Sequence, residues 1–246
     1  MPPVALLTDF GPSEYAGVMK GVILGLLPGA QLVDITHDIS PQNVREGAWV
    51  LLGSYRWFPK GTVFLCVVDP GVGTGRRAIA VRSQNYFFVG PDNGLVSAAA
   101  AEDGIVEARA VGIPPGASNT FHGRDVFAPA AALIASGGWE RLGTPIERIE
   151  MIDFHLRGRE GEVVRVDRFG NCITNLPPID GRREYAARSE RGSLPGRLPF
   201  FRTYAEAPGG ELFVIENAYG TLEIALKNGS ASRIARLAPG ERIVLE

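Results

Sequence analysis

Apolar and polar positions follow two alternating periods along the first 150 residues. Residues 4–7 (Val-Ala-Leu-Leu) form a short apolar run that ends in Thr8-Asp9-Phe10-Gly11. After it, Tyr15, Val18, Met19, Val22, Ile23 and Leu26 recur at i, i+3, i+4, i+7, i+8 and i+11, one face of a helix. Ser13 stands in place to cap that helix and Pro28-Gly29 to stop it. Gly17, Gly21 and Gly25 fall four apart on it, and with Glu14 and Lys20 beside them they predict close packing on a sheet. Residues 32–35 are a second strand, ending in Thr36-His37-Asp38. Asn43 with Glu46 three residues on is a capping box for a helix bearing Val44, Ala48, Leu51, Leu52 and Tyr55 on one face. Residues 62–68 are a third strand, ending in Asp69-Pro70-Gly71. Residues 78–81 and 86–89 are closely spaced strands, and Asp125 is placed to cap a helix through about Ser136. Strands interleaved with helices predict an α/β domain with a largely parallel sheet between helices.

The pattern changes near His155. Residues 163–166, 212–215, 222–226 and 243–245 are short apolar runs separated by turn residues, with no long amphipathic helix among them. They predict a small all-β, barrel-like domain. The boundary falls at 155/156, giving an α/β domain of residues 1–155 and a β domain of residues 156–246. The Arg-, Gly- and Pro-rich stretch 180–199 reads as a loop.

Composition narrows the function classes. The 246 residues carry 25 basic and 27 acidic side chains, so the formal charge of −2 supplies no field for a nucleic-acid backbone. No apolar run approaches the roughly 20 residues of a membrane span. The segment Met1-Pro2-Pro3 has no basic region and leads into a strand, unlike a signal peptide. Cys66 and Cys172 are too far apart for a CxxC motif or a disulfide framework. The expectation is a soluble cytoplasmic protein with no nucleic-acid or membrane partner. Of the 25 basic residues 22 are Arg, which reads mainly as compositional bias.

Ligands of open α/β sheets bind beyond the carboxyl ends of the strands. Acids cluster at three such ends: Asp9, Asp34 with His37 and Asp38, and Asp69. Thr120-Phe121-His122-Gly123-Arg124-Asp125 is a further polar cluster at the start of a helix, and Asp92-Asn93-Gly94 reads as a turn. The stretch Asp69-Pro70-Gly71-Val72-Gly73-Thr74-Gly75-Arg76-Arg77 matches neither GxxxxGK[ST] nor GxGxxG. It is either a plain tight loop or one that brings Arg76 or Arg77 back over Asp69. Asp9, Asp38, Asp69, His122 and Asp125 are ligand types suited to a two-metal hydrolase. Against that reading, the three His lie in separate segments without HxH, DxH or HExxH spacing.

Seven motifs taken in order resemble one family: Thr8-Asp9-Phe10-Gly11; Val33-Asp34-Ile35-Thr36-His37-Asp38-Ile39; Gly61-Thr62-Val63-Phe64; Val68-Asp69-Pro70-Gly71-Val72-Gly73-Thr74; Gly90-Pro91-Asp92-Asn93-Gly94-Leu95; Thr120-Phe121-His122-Gly123-Arg124-Asp125; and Asp167-Arg168-Phe169-Gly170-Asn171. The set resembles the S-adenosyl-L-methionine (SAM) hydroxide adenosyltransferases, adenosine-forming SAM hydrolases related to fluorinase and chlorinase. The resemblance implies conversion of SAM and water to adenosine and L-methionine, with SAM as substrate and no cofactor or metal. It also implies a homotrimer whose sites join the N-domain of one subunit to the C-domain of the next. The family's catalytic Asp, Arg and His fall on Asp69, Arg76 and His122. Asp9 matches the acid that holds the ribose hydroxyls, Asn171 the amide that reads adenine, and Phe169 and Tyr204 the aromatic contacts near the adenine and ribose. Asp167 matches the acid near the methionine ammonium, and the backbone at Ser230-Ala231 the segment against the adenine edge. Ala218, after Asn217, stands where the family often has Ser, leaving Tyr219 or backbone amides for the methionine carboxylate. On this reading His122 is the better proton acceptor, because Arg76 stays protonated.

The fluorinase carries Tyr at the place of Asp69, Thr at Val72 and Ser at Gly123, hydroxyls that grip a halide. An acid at 69 repels a halide, so water is the expected nucleophile. The competing readings are a halogenase-like substitution and a SAM- or adenosine-binding regulator without turnover.

Overall fold

Strand β1 (Val4–Thr8) is buried at every position. Val4 and Leu6 face one apolar core and Ala5 and Leu7 face another. A strand covered on both sides has no polar face to alternate with, which is why its sequence is a continuous apolar run. The computed structural model describes residues 1–246, which divide into two compact units, Met1–Ile152 and Asp153–Glu246.

In the first unit β1 is joined by β2 (Leu32–Thr36), β3 (Val63–Val67), β4 (Ala78–Ser83), β5 (Phe87–Pro91), β6 (Ile105–Ala110) and β7 (Pro145–Ile146). Their order across the sheet is β2-β1-β3-β5-β4-β6-β7. The pairs β1/β2, β1/β3 and β3/β5 are parallel. The pairs β4/β5, β4/β6 and β6/β7 are antiparallel. The sheet is therefore mixed, and the expected largely parallel arrangement holds for one half only. Three residues, 84–86, link β4 to β5. A parallel neighbour needs a crossover of roughly a dozen residues, so this link can only make a hairpin.

Helices α1 (Tyr15–Leu26) and α4 (Ala128–Ala135) cover one face, and α2 (Val44–Ser54) and α3 (Ser97–Glu102) cover the other. The stripe of α1 that packs inward is Ala16, Met19 and Ile23. Tyr15, Val18 and Leu26 are exposed, so the predicted face is rotated by part of a turn. Gly17, Gly21 and Gly25 do not pack on the sheet: a β-carbon on any of them would meet nothing within 4 Å. Ser13 does not cap α1 either. Its hydroxyl donates to the Phe10 carbonyl at 2.9 Å, and the cap position is Glu14. Asn43 does cap α2, but the return bond of the capping box runs to Ser40, while the Asn43 backbone amide donates to the Ser40 carbonyl. Asn43 Oδ1 accepts from the Glu46 amide at 3.1 Å, while the Glu46 carboxylate accepts from the Ser40 amide at 3.2 Å.

The second unit contains β8 (Glu160–Val166), β9 (Cys172–Thr174), β10 (Glu184–Ser189), β11 (Arg197–Pro199), β12 (Leu212–Glu216), β13 (Leu222–Leu226) and β14 (Arg242–Leu245), with a short helix α5 (Ala231–Ala235). The order is β11-β10-β14-β8-β9-β13-β12, all antiparallel. A bridge between Phe200 and Val214 brings the two edges together, so the sheet nearly closes into a barrel. β10 and β11 lie in the stretch expected to be a loop. Tyr185 and Ala187 point inward between outward Glu184, Ala186 and Arg188, a period-two pattern that the charged residues disguise. Cys66 and Cys172 are buried free thiols; burial pushes both up, Cys172 to about 12. No helix is long and apolar enough to cross a membrane.

Candidate active site

Because β1 and β3 are parallel, their carboxyl ends share one edge of the sheet. Asp9 follows β1 and Asp69 lies two residues past β3. Beyond them opens a cavity of about 410 Å³ lined by Asp9, Phe10, Tyr15, Asp69, Phe121, His122 and Gly123, among others.

The Gly-rich loop brings Arg76 back over Asp69. Thr74 Oγ1 donates to the Gly71 carbonyl at 2.7 Å, reversing the chain. Gly73 has φ +74°, and a β-carbon there would run into the Asn119 carbonyl, so only glycine fits. Arg76 Nε then donates to Asp69 Oδ1 at 3.0 Å, and Nη2 makes a short bond to Oδ2. The pair is largely removed from water, with side-chain exposures of 11% for Arg76 and 6% for Asp69. The neighbouring Arg77 turns away to Asp92, with Nε 2.7 Å from Oδ2.

Arg76 Nη2 also lies 2.9 Å from His122 Nδ1. A guanidinium has no acceptor, so Nδ1 must be the acceptor and the neutral ring carries its hydrogen on Nε2. His122 is buried, and burial first and the Arg76 charge second hold it below its ordinary value, against the pull of Asp69 and Asp125. The expectation that His122 is the proton acceptor meets an obstacle here, since the lone pair of the neutral ring is already engaged. Arg76 Nη1 is buried without a hydrogen-bond partner, and the guanidinium carbon sits 5.1 Å from the centroid of the fully buried Phe127 ring. That ring takes the place of water on one side of the cation. Phe127 ends a π-helical turn, Gly123–Phe127, that leads into α4 and sets His122 at its head. Asp125 does not cap this helix. It pairs with Arg124 at 2.6 Å and accepts from the Ser118 amide at 2.8 Å.

The strand-end acids separate into two groups. Asp9 Oδ2 accepts from the Gln42 amide at 2.8 Å and lines the cavity with Asp69. Asp34 instead pairs with Lys20 at 2.6 Å and His37 Nε2 at 3.1 Å, and His37 Nδ1 meets Thr8 Oγ1 at 2.9 Å. Asp38 is exposed. Asp9, Asp38, Asp69, His122 and Asp125 therefore form no cluster of three or more metal-ligand types. Phe10, Tyr15 and Phe121 meet edge to face with centroids 5.1–6.0 Å apart and form an aromatic wall that the motif reading did not assign.

The second unit has its own cleft, about 680 Å³, lined by Asp167, Phe169, Asn171, Tyr204 and residues of 226–229. Asp167 Oδ1 accepts from the amides of Phe169 and Asn171, both at 2.9 Å, which folds the 167–171 loop. Phe169 stands out from it, 68% exposed. Three predicted residues do not line this cleft. Asn217 Oδ1 accepts from the Tyr219 amide at 2.8 Å and so builds a turn. Tyr219 is on that turn, and Ala231 is buried in α5, whose Ser232 amide donates to the Gly170 carbonyl at 2.9 Å. One residue the sequence did not disclose is Glu223, buried on β13 and bonded to the Tyr204 hydroxyl. Burial, helped by Asp167, pushes its carboxyl up against the pull of the Tyr204 hydrogen bond, while burial and Glu223 push the Tyr204 phenol up.

Residues 4–143 match the model of the SAM hydroxide adenosyltransferase N-terminal domain, and residues 161–244 match that of the C-terminal domain. The chain belongs to the SAM hydroxide adenosyltransferase family. Among this family, the (R)-S-adenosyl-L-methionine hydrolase of Thermus thermophilus is 40% identical and covers 98% of each chain. A crystal structure of an uncharacterized conserved protein from Thermotoga maritima superimposes with a TM-score of 0.90 at 36% identity, over 99% of this chain and 100% of that one. A fluorinase from Nocardia brasiliensis is 29% identical over 84% of this chain and 83% of its own. As a SAM hydroxide adenosyltransferase homologue, the chain is thus spanned end to end by relatives called hydrolases.

Proposed function

We propose that the protein hydrolyses S-adenosyl-L-methionine to adenosine and L-methionine by attack of water at ribose C5′. The observation that carries this reading is the Asp69–Arg76–His122 cluster at the mouth of the parallel strands. In the reaction the C5′–O bond forms as the C5′–S bond breaks, and the electron pair stays on sulfur. Methionine leaves as a neutral thioether, so no general acid is required. What the site must supply is a water placed in line and stripped of bulk solvent. His122 Nε2–H donates to that water and fixes its orientation. The Asp69 carboxylate takes the proton, and Arg76 holds both partners and offsets charge at the nucleophile. Asp9 has lone pairs left beside the Gln42 bond for the ribose hydroxyls.

Asn171, Phe169 and Tyr204 hold the adenine, and Asp167 faces the methionine ammonium. The backbone at Ser230-Ala231 lies along the adenine edge, and Tyr219 serves the methionine carboxylate in place of a side chain at Ala218. The enzyme works as a cytoplasmic homotrimer without cofactor, each site joining the first unit of one copy to the second unit of the next. The open apolar stripe of α1 around Gly17, Val18 and Gly21 supports contact between copies.

Water is favoured over halide by two features. The Asp69 carboxylate repels an anion, and Gly123, where a β-carbon would press on Met19 Sδ at 2.9 Å, offers no hydroxyl to hold a halide. The test is product analysis after incubation with SAM, with and without chelator and with added chloride or fluoride. Adenosine and methionine, unaffected by chelator, are the expected products. A 5′-halogenated nucleoside would point to the halogenase reading, and bound but intact SAM to a regulator.

A further inference from the structure

Glu223 lies between Leu222 and Ile224, which face the barrel core, so strand alternation turns it to the opposite side. That side is not open to water. Phe201 and Ala207 pack over it against Phe213, Ile215 and Ala225, and Glu223 is 3% exposed. A carboxyl group there needs a partner, and the partner is the Tyr204 hydroxyl, which donates to Oε1. Having given its hydrogen to Glu223, Tyr204 has only lone pairs to offer Asn171. Asn171 Nδ2 accordingly turns its hydrogens to Tyr204 at 3.5 Å and to Asp167 Oδ2 at 3.0 Å. The reversed amide would set Oδ1 against the Asp167 carboxylate, two acceptors with no hydrogen between them. Both amide hydrogens point inward, and the Asn171 carbonyl oxygen is left for the cleft.

We propose that Glu223 is a positioning residue for purine selection: by taking the Tyr204 hydrogen it leaves the phenol an acceptor, which together with Asp167 fixes the polarity of the Asn171 amide, so that the cleft accepts a base with an exocyclic amine and rejects the oxo-bearing, deaminated base. The proposal rests on the reading that this cleft holds the adenine of SAM. An amine meets the carbonyl as a donor, whereas an oxo group meets it as a second acceptor and leaves both unpaired.

Calorimetric binding of adenosine and of inosine to the full chain, with SAM turnover followed in parallel, tests it. Wild type is expected to prefer adenosine by more than tenfold. Glu223→Leu and Tyr204→Phe each lower that preference at least fivefold. Glu223→Gln, which can still accept from the phenol, keeps it. Equal affinities in wild type, an unchanged ratio in a folded Glu223→Leu, or equal losses for both nucleosides would overturn the assignment while SAM turnover leaves the function standing. If Glu223→Leu does not fold, the Tyr204→Phe ratio decides alone. A wild-type protein that neither binds adenosine nor consumes SAM would overturn the functional reading, and this assignment with it.

Discussion

The bond between Arg76 Nη2 and His122 Nδ1 can run in one direction only, because a guanidinium has no lone pair. His122 is thereby assigned to hold water through Nε2–H. If that is its work, Glu or Asp is a poor replacement and Gln a fair one, since the Gln amide places a donor near Nε2. His122→Gln is expected to retain at least ten times the kcat of His122→Ala; equal kcat for the two would return the residue to a base role. The pH profile belongs to the same bond. Protonation would set an Nδ1–H against the guanidinium, so activity falls as pH drops through the His122 value. Burial and Arg76 hold that value below the ordinary 6.5. The acid limb of kcat therefore lies below pH 6.5 in wild type, and Arg76→Gln, which removes the charge, moves it upward. A limb that stays in place in the Arg76 variant would contradict the assignment.

The loop from Asp69 to Arg76 and the π-turn that ends at Phe127 carry these side chains. Gly73→Ala places a side chain at a positive φ against the Asn119 carbonyl, a strain of roughly 1–3 kcal/mol before relaxation. Denaturant unfolding should register that loss, and turnover should fall further than stability alone accounts for, because Arg76 is displaced. Much of this element-level picture is legible in the sequence. The strand-end positions of Asp9 and Asp69 and the Asn43 cap follow from local spacing, whereas the 69–77 stretch alone leaves open a plain tight loop or the return of Arg76 or Arg77, and the bonds to Asp69 and Asp92 decide for Arg76. Other features depend on what lies across space. Whether α1 buries its glycines or its Ala16–Met19–Ile23 stripe is decided by which side the sheet occupies. Tyr185 and Ala187 announce a strand only once their partners in β11 and β14 are known. Glu223 looks like an outward residue of β13 until the segment bearing Tyr204 covers it, and no local pattern encodes that cover.

The two units each hold part of the proposed substrate contacts: water activation and ribose in the first, purine in the second. If one copy's first unit works with another copy's second unit, inactive variants of opposite halves should complement each other. His122→Ala and Asn171→Ala, each nearly inactive alone, are expected on unfolding and refolding together to regain activity at roughly a quarter of the sites, the share in which two intact halves meet by chance in a closed ring. No recovery in a mixture shown by light scattering to be trimeric would mean that each site is built from a single copy.

In the proposed reaction water attacks carbon C5′ of a bound sulfonium. Turnover of SAM in ¹⁸O-water, followed by mass spectrometry of both products, tests it most directly. One ¹⁸O in the 5′-hydroxyl of adenosine, with unlabelled methionine, is the predicted result. Label in methionine, or adenosine that carries none, would contradict it.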